Sequence, residues 1–152
     1  MRMPSARTLR RVMNLWPPFL FAGIRVLDIS DDWRHARVTL RRHWYNRNYV
    51  GTHFGGSLFS MTDPFWMVLT LNILGRDYIV WDKAAEIDFV EATREPVYAD
   101  FRIADEAIAT IRKATANGEK YLDWFESDVT TADGRVVARV RKQLYVRRKQ
   151  RA

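Results

Sequence analysis

The chain has no cysteine. That excludes disulfides, thiolate zinc sites and a cysteine nucleophile, and it suits a reducing, cytoplasmic setting. Histidine is scarce: His35, His43 and His53 are the only three, and none pairs with another at H-x-x-x-H spacing, so no metal site is expected. The longest apolar stretch, Leu58 to Leu74, is interrupted by Asp63, Pro64 and Asn72, so no membrane span is expected. No G-x-S-x-G elbow presents a serine nucleophile. No repeat, low-complexity linker or compositional break divides the 152 residues, which read as one domain, 1–152, long enough to bury a core.

What is present is apolar, aromatic and basic. A hydrophobic content of 47% with 13% aromatics excludes disorder for most of the chain. The net charge is +7, and arginine and lysine gather at the two ends. Such a surplus suits an anionic partner: nucleic acid, anionic lipid or a phosphorylated cofactor. Nucleic acid is set aside, because no ribonucleoprotein-type motif or recognition helix accompanies the charge. For the tail, about 147–152, a solvated basic end is the simpler reading.

The chain is organised around Asn48-Tyr-Val-Gly-Thr-His-Phe-Gly-Gly-Ser-Leu-Phe-Ser-Met-Thr-Asp63 and the apolar run to Leu74. Gly55 and Gly56 open a stretch that is apolar on every helical face, the mark of a buried helix. If continuous to Leu74 it would run about 28 Å at about 1.5 Å per residue. Paired glycines let a ligand approach the backbone, and first-turn N–H groups have no intrahelical partner, so they can receive an oxyanion. Asp63 lies among apolar residues, where a carboxylate is costly unless paired or working. Because Pro64 follows it, Asp63 can equally be the N-cap of a helix restarting at 64.

Before this stretch, Ser5 caps a short helix, about 5–16, with Leu9, Val12, Met13 and Trp16 as its stripe. Pro17-Pro18 ends that helix and interrupts a segment that otherwise resembles a leader. Strands follow at 24–29 and 35–42. After Gly75 come strands at 78–90 and 97–103, a short helix opened by Asp105 and closed by Asn117-Gly118, and strands at 119–129 and 135–146. The last two are joined by the Asp133-Gly134 turn. In the final strand Val136, Ala138, Val140, Leu144 and Val146 share one face and Arg139, Arg141 and Gln143 the other. The sum is α+β, a curved antiparallel sheet wrapped around one long central helix. Open sheet edges make a homodimer, or a dimer of dimers, the expectation.

This order of elements, with this helix entrance, resembles the hotdog fold, and more closely the hotdog acyl-coenzyme A thioesterases of the phenylacetate-pathway type. There a His-Gly-Gly opens the helix and an aspartate follows nine positions after the His; here the positions are Phe54-Gly55-Gly56 and Asp63. Asn48, Gly51 and Thr52 match the loop before that motif. Tyr78-Ile-Val-Trp-Asp-Lys83 and Leu144-Tyr-Val-Arg-Arg148 resemble an uncharacterised thioesterase-labelled branch of the superfamily. The likeness covers roughly 17 to 149. It implies that Gly55 and Gly56 supply oxyanion N–H groups, and that Asp63, from the neighbouring subunit, is base or nucleophile. The coenzyme A moiety belongs to the substrate, and no further cofactor is expected. Asn48, His53, Phe54 and Ser57 surround the helix entrance as candidate substrate contacts. Loop support by Asn48 and a plain packing role for His53 and Ser57 stay open. Arg139 and Arg141 are candidate contacts for coenzyme A phosphates, or a solvated sheet face. Three departures accompany the match: Phe54 in place of the His, Pro64 after the aspartate, and the helix at 105–117. An acyl-CoA thioesterase is the leading reading. A non-catalytic acyl-CoA binder is the alternative, and a dehydratase using His53 and Asp63 a third.

Overall fold

The computed structural model describes residues 4–150. Ser5 accepts Thr8 N–H and opens α1 (Ala6–Leu15), as its side-chain oxygen predicts. Only Met13 of the expected stripe is buried outright; Leu9 is half-buried, and Val12 and Trp16 face solvent. Pro17-Pro18 does not simply end this helix. With its fixed φ and missing N–H, proline suits a first helical turn, and the pair opens a second short helix, α2 (Pro17–Ala22).

Two strands follow, β1 (Ile24–Ile29) and β2 (His35–Leu40). Strict alternation in β1 would turn Ile29 outward. A bulge between Val26 and Asp28 resets the phase, and Ile24, Val26 and Ile29 all reach the core.

The central helix is not continuous. It forms as α3 (Gly55–Ser60) and α4 (Phe65–Leu74). Between them the chain tightens into Thr62 N–H to Phe59 O and Asp63 N–H to Ser60 O bonds, three residues apart. Pro64 has no N–H to carry the ladder onward, and Val68 N–H to Pro64 O is the first bond of α4. Phe65, Trp66 and Leu69 are buried; Phe65 stacks on Phe101, and Trp66 on Phe125.

After Gly75 come β3 (Tyr78–Phe89), β4 (Val97–Arg102), α5 (Asp105–Ala114), β5 (Lys120–Thr131) and β6 (Val136–Arg148). Asp105 lies in the first turn of α5 rather than capping it; Ala104 holds the cap position. The six strands form one antiparallel sheet in the order β1-β2-β4-β5-β6-β3. Its inner face packs on α4, which touches β2, β3 and β6. The basic end is less free than composition suggests: β6 runs to Arg148, and Lys149 bonds Asp77 O and Arg76 O. Arg151 lies outside the described residues. Among the described residues no helix is long and apolar enough to cross a membrane.

β3 is an edge strand, and its second half is bare. From Lys83 to Phe89 most side chains are exposed on both faces, with only Ile87 half-buried. The alternation Glu86-Ile87-Asp88-Phe89 turns Phe89 inward beside Ile87, yet its ring stays exposed at the open end of the strand, touching α3 at Gly55.

Candidate functional site

Asn48 closes the loop before the helix entrance through near neighbours, and His53 ties that loop to the segment after β3. Asn48 donates to Thr52 Oγ1 at 2.8 Å and to His53 O at 3.0 Å, and accepts Thr52 N–H at 2.9 Å. Asparagine closes such loops readily because its amide donates and accepts at once. His53 is buried; its Nε2 lies 2.6 Å from Glu95 O, and its backbone N–H donates to Thr93 O. Burial pushes the imidazole below its ordinary value of 6.5, and Arg42 adds to this; the Glu95 carbonyl partly opposes it. No side chain caps α3, whose first backbone bonds run from Ser57 and Leu58 N–H to Phe54 O. The N–H groups of Gly55 and Gly56 precede that ladder.

Asn48, Thr52, His53, Gly55 and Leu58 line a cavity of about 340 Å³, closed on its far side by Phe89 to Thr93. Phe89 lies so close over Gly55 that a Cβ there would come within 2.9 Å of its ring. The Phe54 ring covers Gly56 in the same way. Ser57 is buried one position further on.

Asp63 does not join this cavity. It lies at the break between α3 and α4, beside a cleft of about 260 Å³ lined by Trp16, Pro18, Phe19, Phe59 and Ser60. Nor does it cap α4, because its carboxylate is engaged elsewhere. Lys142 Nζ lies 2.6 Å from Asp63 Oδ1, 2.7 Å from Asp63 O and 3.1 Å from Asp82 Oδ2. The Lys142 side chain is 1% exposed, that of Asp63 65%. Burial pushes the Asp82 carboxyl above its ordinary range; Lys142 pulls it back, and Asp63 pushes it further up.

Lys142 escaped the sequence reading, although the signal was present. Inward positions of β6 alternate through Ala138, Val140, Leu144 and Val146, and that phase forces position 142 inward as well. Arg139 and Arg141, in the opposite phase, lie on the outer face. Arg139 pairs with Asp128 at 3.8 Å; Arg141 pairs with Glu126 and Glu86 and lies over the Trp124 ring. One chain thus gathers Asn48, His53, Phe54, Gly55, Gly56 and Ser57 at the helix entrance. It leaves Asp63 in a second cleft, and both arginines on the far side of the sheet.

Comparison with solved structures gives the same fold repeatedly. A protein of unknown function from Pseudomonas aeruginosa, described as a probable thioesterase, superposes with a TM-score of 0.81 at 18% identity, over 97% of this chain and 98% of that one. A thioesterase from Haemophilus influenzae gives 0.69 at 11% identity, over 99% and 95%. A hypothetical thioesterase from Streptococcus pneumoniae, solved with coenzyme A, gives 0.60 at 16% identity, over 92% and 98%. At such identities the likeness is one of fold, and the fold is that of the hotdog thioesterases. No curated protein matches the sequence. Residues 5–146 match the profile of a family described as a domain of unknown function, DUF4442, and the chain belongs to that family.

Proposed function

We propose that the chain is an acyl-CoA thioesterase, hydrolysing a thioester by carboxylate-assisted attack of water. One observation carries this reading: Asp63 presents a largely exposed carboxylate beside an apolar cleft while a buried ammonium holds its Oδ1. The thioesterase-type fold supports the reaction class, and the coenzyme A bound by the Streptococcus pneumoniae protein supports the carrier. The lack of cysteine suits a cytoplasmic enzyme.

Asp63 takes a proton from water as the water oxygen bonds to the thioester carbonyl carbon. The carbonyl oxygen becomes an oxyanion received by Gly55 and Gly56 N–H. Collapse breaks the C–S bond, and the thiolate leaves with the proton from Asp63. One such donor lowers a barrier by about 3–4 kcal/mol, and a positioned base contributes about 10²–10⁴-fold. Trp16, Pro18, Phe19 and Phe59 offer the acyl group an apolar wall. Asn48 and His53 hold the entrance loop in shape.

The working unit is a homodimer, alone or within a dimer of dimers. Asp63 and the Gly55 cavity occupy separate clefts in one chain, so a site that uses both draws them from two copies. The bare half of β3, with Phe89 exposed and Trp81 and Val90 exposed to either side of it, supports pairing of that edge with its own copy.

A second reading, an acyl-CoA binder without turnover, is favoured by the Phe54 and Phe89 rings over the two glycines. One experiment separates them: thiol release from short, long and aryl acyl-CoA esters, with wild type beside Asp63→Asn. Turnover falling about 10²–10⁴-fold in the variant is expected. Equal turnover in both sinks the role of Asp63. No turnover, with acyl-CoA raising the melting temperature, establishes the binder. Mixing Asp63→Asn with Gly56→Val protomers tests the shared site: activity returns only if glycine and aspartate come from different copies.

A further inference from the structure

Lys142 is a lysine where the fold calls for an apolar residue. It stands between Val140 and Leu144 in the buried inward row of β6. A buried ammonium is tolerated only when its charge and its N–H groups are answered, and apolar residues of similar volume are often as stable or more so in such places. Three acceptors answer Lys142: Asp63 O, Asp63 Oδ1 and Asp82 Oδ2. An ammonium has three donors, so this set is complete.

Two of the three acceptors belong to one residue, and the helix break makes that arrangement available. Because α4 begins its backbone bonds at Pro64 O, Asp63 O is released from the ladder and accepts from Lys142. Main chain and carboxylate of Asp63 are thereby fixed from one point. Lys142 takes Oδ1, and Asp63 itself lines the cleft of Trp16, Pro18, Phe19 and Phe59. Asp82, from β3, anchors the ammonium from the other side. The charged groups facing Asp63 are Lys142 from β6 and Asp82 from β3; the α1–α2 wall of the cleft carries none.

We propose that Lys142 is a positioning residue for Asp63, its buried ammonium fixing the direction and the negative charge of the carboxylate that faces the cleft. The proposal rests on the reading of Asp63 as the base. It makes Pro64 part of the same device, since the break it enforces turns the Asp63 carbonyl to the sheet.

The test is Lys142→Met, which keeps the volume and removes the charge, read against pH. Loss of about 10²-fold in kcat is expected, with KM changed much less and the acid limb of kcat/KM moved to higher pH. Asp82→Asn leaves the Lys142–Asp63 pair in place and is expected within about threefold of wild type, its acid limb not raised. Lost activity in Lys142→Met with an unmoved acid limb is what a purely structural lysine would give, and it overturns the proposal. If Lys142→Met does not fold, Lys142→Met/Asp82→Asn, free of the stranded carboxylate, carries the same readouts. The Asp63 side-chain carboxyl ¹³C resonance needs no turnover. Its titration moving upward in Lys142→Met, with no thiol released by any form, ends the hydrolase reading and leaves the coupling standing. Thiol release with neither resonance nor acid limb responding ends the positioning role.

Discussion

The two ends of the broken helix are held by different physics. At the α3 entrance the groups are neutral and mostly answered by near neighbours: Asn48 bonds Thr52 and His53, four and five residues away. At the break before α4 they are charged and answered from across the sheet, 79 residues away in the case of Lys142 and Asp63. The Asn48 loop of the first arrangement can form early and locally, and His53 then ties it to the Thr93 and Glu95 carbonyls. The second exists only when β3, β6 and the helix are docked together. A cleft built the first way keeps its shape cheaply; a carboxylate held the second way depends on the whole fold.

The largest blow to this contrast is at Lys142. Its replacement by Met strands Asp82 and costs about 3 kcal/mol of stability, the low end for removing one member of a buried pair, because Asp63 reaches solvent. Adding Asp82→Asn should recover part of that loss. Denaturant unfolding of the two single variants and the double variant gives the coupling directly, and additive losses would show that the two groups do not depend on each other. Next is Asn48→Ala, expected to cost about 1–3 kcal/mol for its lost hydrogen bonds. Thermal melting should register the loss without any movement in the acid limb of activity.

A pH experiment sharpens the contrast further. His53 is accommodated neutral, with its native value below the ordinary 6.5. Its contribution to stability is therefore intact above about pH 6.5 and lost as pH falls through the lowered native value. Asp82 acts in the opposite sense: its native carboxyl is raised, so the stability it contributes is present at low pH and lost as pH rises through that raised value. Melting temperature against pH for His53→Gln should lose the fall just below pH 6.5, while Asp82→Asn should leave that fall in place. The smallest effect is expected on the outer face. Arg141→Ala removes exposed ion pairs with Glu86 and Glu126 and should cost under about 1 kcal/mol. Its KM for acyl-CoA should change less than about twofold; a larger rise with unchanged kcat would mean that coenzyme A phosphates displace those carboxylates.

The legible parts of the chain were those fixed by neighbours in sequence. Ser5 announced α1, Gly75 closed the helical run, Asp133-Gly134 marked the β5–β6 turn, and alternation gave the inward row of β6 from Ala138 to Val146. Errors arose where backbone geometry changes the count. Pro17-Pro18 opens a helix as readily as it ends one. The bulge after Val26 moves Ile29 to the core. Pro64 restarts the helix as its place in the run allows, but Asp63 is not the cap of the second segment. Phe89 looked inward by its phase, yet phase says which side a residue faces and not whether anything covers it.

The site divides along the same line. The sequence by itself determined a glycine-marked helix entrance, a carboxylate inside an apolar run and an antiparallel sheet to hold them. Each follows from local backbone chemistry or from the period of the side chains. Only the tertiary structure decided that Asp63 and the Gly55 cavity stand in separate clefts, and that the counter-ion of Asp63 is Lys142. An ion pair between residues 79 apart is set by how β6 docks on the helix break, a register that no local pattern encodes.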